Sequence, residues 1–150
     1  MAGIAGRAGL GLLSRAMRWI GSLVGRTPAR GRDEVWLAGE DAAAEFLKKA
    51  GYRLLARNAQ TPRGEADIVA ESPDGKELVV IEVKARRTGL NERSDTMPPE
   101  AGVTREKLRR LRGIAFHLGR ANSREARVDV IGVLFDPGGG ARVRHTQRVA

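Results

Sequence analysis

The 150 residues, 41% hydrophobic and 30% charged, suffice for one ordinary globular domain and fall short of two. Lys and Arg number 27 against 18 Asp and Glu, and the resulting formal charge of +9 points to polyanionic partners or anionic surfaces while saying nothing about fold. With no cysteine, disulfides, thiolate nucleophiles, Cys-ligated zinc and iron–sulfur clusters are excluded, and with only His117 and His145 as histidines, any metal chemistry rests on carboxylates, which select hard cations such as Mg²⁺ or Mn²⁺.

Residues 1–32 stand apart. Arg7, Arg15, Arg18, Arg26, Arg30 and Arg32 carry six positive charges before the first acid, Asp33. The apolar residues among them are broken by Arg15 and Arg18, too short a run for a spanning helix. Four glycines between Gly3 and Gly11 disfavour a stable amphipathic helix, so the segment is expected to be a basic, flexible extension, with contact to a membrane surface through residues 7–32 the weaker alternative.

A folded domain is expected over 33–150. Asp33 can cap a helix running to about Ala50, with Gly51 as its stop. Strands follow at 52–58, 65–71 and 77–86, separated by a turn at Thr61-Pro62-Arg63-Gly64 and a tight hairpin at Ser72-Pro73-Asp74-Gly75. Residues 87–102 read as a polar loop. Thr104 opens a second helix, with Leu108, Leu111, Ala115 and Leu118 at helical spacing, ending near Gly119. Strands at 127–135 and 141–146 close the domain. The order α-β-β-β-α-β-β defines a mixed α/β fold with a central sheet of four to five strands flanked by helices.

The informative residues are acids in apolar settings. Glu40 falls inside the first helix's apolar stripe of Ala43, Ala44 and Leu47, either buried there or reaching solvent along its stem. Glu65 and Asp67 share one face of the second strand. On the third, Leu78-Val79-Val80-Ile81 is a run suited to a strand covered on both sides, and Glu82-Val83-Lys84 continues it. A structural Glu82–Lys84 pair is one reading. The other is that the hairpin sets Asp67 beside Glu82, where two carboxylates repel unless a cation bridges them or one stays protonated. An Asp, a Glu-x-Lys and a helical Glu suit metal-assisted phosphodiester hydrolysis. Asp129, among apolar strand residues, reads as a buried hydrogen-bond partner and not as a ligand.

Gly39-Glu40, Gly51-Tyr52, Arg57-Asn58, Gly64-Glu65-Ala66-Asp67, Glu82-Val83-Lys84-Ala85-Arg86, Lys107 and Val128-Asp129-Val130 together resemble, in order and spacing, the bacterial YraN-like family, UPF0102. That family looks like a branch of the PD-(D/E)XK nuclease superfamily, similar in pattern to archaeal Holliday-junction resolvases. The resemblance implies a restriction-endonuclease-like core, with Asp67 and Glu82 as the principal metal ligands. It further implies Lys84 as the catalytic lysine and Glu40 as the helical acid completing the site directly or through water, with Glu65 assisting. Ala66 stands where the superfamily pattern has Pro, a packing change pointing away from the acids.

Nine basic residues against four acids between Lys84 and Arg112 give the charge a location. Arg86, Arg87, Lys107, Arg105 and Arg110 are the expected nucleic-acid contacts, while Arg109 and Arg112 fit a solvated helix face. The function expected is therefore a Mg²⁺- or Mn²⁺-dependent, cytoplasmic endonuclease acting on structured or branched DNA, as a homodimer by analogy with resolvases. The alternative is a non-catalytic nucleic-acid-binding or adaptor protein with a vestigial site.

Overall fold

The computed structural model describes residues 34–89 and 98–150. Asp33 and the basic segment before it lie outside the described residues. Helix α1 (Glu34–Lys49) leads into strands β1 (Arg53–Thr61), β2 (Gly64–Glu71) and β3 (Glu77–Arg87); a short 3₁₀ turn (Pro99–Gly102) and helix α2 (Arg105–Asn122) precede β4 (Glu125–Phe135) and β5 (Ala141–Thr146). The chain is an α/β fold with a five-stranded mixed sheet, ordered β1-β2-β3-β4-β5 and flanked by helices. Among the described strands only β3 and β4 run parallel, because α2 carries the chain across between them; the other neighbours are antiparallel.

Local chemistry explains the boundaries. Gly51, at φ 88°, ends α1 in a Schellman motif: its N–H donates to Lys48 O (3.1 Å) and the Tyr52 N–H to Leu47 O (2.9 Å). Thr104 caps α2 by accepting from the Lys107 N–H at 3.1 Å. In the β2–β3 hairpin the Ser72 hydroxyl donates to Asp74 Oδ1 (2.6 Å) and accepts from the Glu77 N–H (3.0 Å). The second helix runs three residues past the expected Gly119, ending at a left-handed Ser123 (φ 51°). Gly119 is instead a contact point, since a Cβ there would lie 2.8 Å from Arg124 O.

Alternation along β3 divides the core. Leu78 and Val80 pack with Leu111, Ile114 and Leu118 of α2, whereas Val79, Ile81 and Val83 pack with Ala43, Ala44 and Leu47 of α1. Burying each large aliphatic side chain contributes about 1.5–3 kcal/mol. Glu82 and Lys84 continue the series facing α2. Helix α1 approaches β3 closely at Gly39, where an added Cβ would fall inside 3.0 Å of Ala85 Cβ. Among the described residues no helix is long and apolar enough to cross a membrane.

Candidate active site

The last β2–β3 partners before the hairpin opens are Ile68 and Ile81, so Asp67 and Glu82 follow on adjacent strands. Asp67 is fixed by the backbone: its Oδ2 accepts from the Val83 N–H at 2.8 Å. Glu82 is buried, yet both its oxygens face cations. Lys84 Nζ lies 3.1 Å from Oε1 and Lys107 Nζ 3.1 Å from Oε2, the latter without hydrogen-bond geometry, leaving Oε2 with no hydrogen-bond donor among the described residues. Burial, then the negative charge of Glu82, pushes the Asp67 carboxyl up to about 7, against the opposing pull of the Val83 N–H and Lys107. The negative charge of Glu40 adds the smallest part of the upward push.

These groups open into a cleft of about 510 Å³ lined by Glu65, Asp67, Glu82, Lys84, Lys107 and Arg110, with Trp36 of α1 at its wall. Gly64 lets Arg110 in. Its φ of 126° suits only glycine, and a Cβ would meet Arg110 Cδ at 2.8 Å. Gln60 donates to the Glu65 carboxylate.

Glu40 is buried, as its place in the apolar stripe suggests, and accepts from Asn58 Nδ2 at 3.2 Å with the Arg57 guanidinium 3.5 Å away. Arg57 also holds Asp41 at 2.8 Å. Asn58 adopts φ 49° within β1, a left-handed residue inside a strand, which Asn tolerates better than most. Among the described residues, no three His, Cys, Asp or Glu side chains converge as a metal-holding group. The structure thus brings Asp67, Glu82 and Lys84 together with Lys107 and Arg110, but it does not gather Glu40 with the two strand acids into one such group.

The remaining basic residues divide. Lys84 and Arg86 share a face of β3, while Arg87 falls on the other side and lines a separate cleft with Glu34, Val35 and Phe135. Arg105 is exposed at the start of α2 and does not line the cleft of Asp67 and Glu82. Trp36, Gln60 and the left-handed Asn58 escaped the sequence reading. Trp36 stands in a helix without motif context, and the Gln60–Glu65 pair depends on the β1–β2 register. Asp129 is a buried partner: it accepts from Arg127 (3.0 and 3.2 Å) and the Arg148 N–H (2.9 Å), and pairs with His145 Nε2 at 2.8 Å.

Residues 39–133 match the profile of the uncharacterised protein family UPF0102. The chain belongs to that family. A UPF0102 protein of Beutenbergia cavernae is 40% identical over 123 residues, covering 80% of this chain and 98% of the relative. The UPF0102 protein STH1475 of Symbiobacterium thermophilum is 45% identical over 113 residues, covering 73% and 90%. One from Pelobacter propionicus is 39% identical over 110 residues, covering 71% and 75%. These names state the UPF0102 family and no activity. The five-stranded mixed sheet flanked by helices is consistent with a restriction-endonuclease-like core and with a PD-(D/E)XK placement of UPF0102. The solved structure of Pyrococcus furiosus SfsA in complex with Ca²⁺ is similar over 70% of this chain and 58% of that one, at 15% identity and a TM-score of 0.31, a likeness too slight to carry an argument.

Proposed function

We propose that this UPF0102 protein is a Mg²⁺- or Mn²⁺-dependent endonuclease that hydrolyses phosphodiester bonds in structured or branched DNA. The observation that carries the reading is a buried Glu82 beside Asp67, with two ammonium groups on it, at the floor of an open cleft whose rim is cationic. The donors are all carboxylate oxygens, and Glu82 Oε2 is buried without a hydrogen-bond donor. That set fits a hard divalent cation, which keeps several waters and needs only one or two carboxylates.

Asp67 and Glu82 would hold the cation. When bound, it would lower the pKa of a water and offset charge developing on the phosphate. The Val83 N–H keeps Asp67 oriented, so little reorganisation is needed. Lys84, on the same strand face as Glu82, reaches the cleft to steady a nonbridging phosphate oxygen, and Lys107 and Arg110 hold the flanking backbone as sequence-independent phosphate contacts. A homodimer would match a symmetric junction, and the cytoplasm is the compartment in which such a substrate is met.

Branched, flapped, duplex and single-stranded DNA incubated with and without Mn²⁺ test the proposal. Cleavage should require the cation and fall about 100-fold or more in Lys84→Ala. Cleavage that survives Asp67→Ala and Glu82→Ala overturns it. The two lysines already offsetting Glu82, and the lack of a three-acid group among the described residues, favour a second reading: a non-catalytic nucleic-acid-binding or adaptor protein. That reading expects salt-sensitive binding indifferent to both substitutions, with no metal-dependent cleavage.

A further inference from the structure

The outer face of α2 carries a pattern that the cleft does not use. At about 100° per residue, Arg105, Arg109, Arg112, Phe116 and Arg120 fall within a sector of about 80°. No acid lies in that sector, and all five residues are exposed. Lys107 and Arg110, which line the cleft, point well away from it. Arg110 pairs with Glu106 at 3.3 Å, whereas none of the four stripe arginines makes an ion pair among the described residues.

Phe116 is the second unusual feature. It is 68% exposed, more than any other large hydrophobic side chain described, and Arg120 lies over its ring with Cζ 5.9 Å from the centroid. A concavity of about 660 Å³ runs beside it along Gly119, Arg120 and Ser123. Beyond the Arg120 contact the ring gains little from the fold. It offers a stacking face to a flat base whose strand carries phosphates for the arginines.

We propose that this stripe is a second nucleic-acid site, on a different face of α2 from the cleft, that takes an unpaired strand: the arginines hold successive phosphates and a base stacks on Phe116. The spacing is suitable, because Arg105 to Arg120 spans about 22 Å at 1.5 Å per residue, the axial length of about six stacked nucleotides at 3.4 Å each. A lipid surface fits less well. An interfacial helix needs a broad apolar face, and this sector offers one apolar residue among four arginines. The proposal rests on the chain being a nucleic-acid-binding protein but not on its cutting anything.

Binding of the full chain to labelled oligothymidylate and to a duplex of equal length, followed by fluorescence anisotropy in EDTA across a salt series, tests it without any cleavage. Arg109→Gln/Arg112→Gln should lower the slope of log affinity against log salt by about two, one per arginine. Arg109→Lys/Arg112→Lys should restore it. Phe116→Ala should weaken oligothymidylate binding about fivefold or more and spare the duplex. Arg142→Gln/Arg144→Gln, which removes two exposed charges from β5, should change the slope less than the stripe pair. An unchanged slope in the stripe variant, an equal change in the β5 control, or indifference of oligothymidylate to Phe116→Ala overturns the proposal. So does capture of phosphatidylglycerol vesicles through the stripe with no oligonucleotide binding.

Discussion

Replacing Gly39 by Ala sets two effects against each other. Gly39 is interior to α1, where Ala is favoured over Gly by about 1 kcal/mol, so helix propensity alone makes Gly39→Ala stabilising. The new Cβ, however, falls inside 3.0 Å of Ala85 Cβ on β3. Carbon atoms at rest stand about 3.5–4.0 Å apart, so helix and strand must separate by at least half an ångström, and overpacking of this kind costs about 1–3 kcal/mol. Neither atom is the end of a flexible side chain, which places the cost at the upper end and leaves a net loss of about 2 kcal/mol. In a domain of this size that lowers the melting temperature by about 4–8 °C. Thermal and urea unfolding of Gly39→Ala, Ala85→Gly and the double variant measure it. The double variant should be more stable than the two single losses add to, because removing the Ala85 methyl reopens the space. A Gly39→Ala protein as stable as the wild type, or a double variant that shows no relief, would refute the close-approach reasoning.

Asp67 provides a pH test with an unusual sign. An acid whose folded value is raised to about 7 from an ordinary 3.8 holds a proton in the folded chain that the unfolded chain has released. Stability therefore falls as pH rises from about 4 to about 7 and then levels, a span on the order of a few kcal/mol. Asp67→Asn should be more stable than wild type at pH 8, with the gap closing toward pH 4; equal urea midpoints at pH 8 would count against it. Asp129→Asn should cost about 1–3 kcal/mol by taking from buried Arg127 one of its two carboxylate partners, Glu77 being the other, read as a lower urea midpoint; a loss below about 1 kcal/mol would show that Glu77 alone satisfies the guanidinium. At Asn58, the left-handed backbone makes Asn58→Ala lose about 1–2 kcal/mol, and Asn58→Gly should recover most of it in the same assay. Equal losses in both would shift the weight to the hydrogen bond with Glu40.

The strands and caps were legible wherever one residue type has a single local use. Gly51 ends α1, Thr104 opens α2, the Ser72–Gly75 turn joins β2 to β3, and β5 runs from Ala141 to Thr146 as its alternation suggests. The proximity of Asp67 and Glu82 was equally legible, because a short hairpin leaves two adjacent strands little choice of register. What escaped depends on distant contacts. Gly119 looked like a helix stop and instead lets the Arg124 carbonyl approach. Asn58 looks like a strand end and instead sits within β1 with a left-handed backbone. Arg86 and Arg87 read as one basic pair, whereas β3 stays extended through Arg87 and turns the two to opposite sides of the sheet. Glu40 is buried, one of the two readings its place in the stripe allows, but its Arg57 and Asn58 partners come from a strand that only the tertiary fold brings alongside.

The single parallel pairing in the sheet has a kinetic consequence. β1, β2 and β3 form a meander joined by tight turns, a unit that closes through local contacts, whereas β3 and β4 can meet only after the whole of α2 has been laid across. Asp67 and Glu82 belong to the local unit, and Lys107 arrives with the crossover. A meander that closes first would draw the two acids together before the second ammonium that offsets them is in place. Refolding should then be faster at low pH, where one of the pair holds its proton.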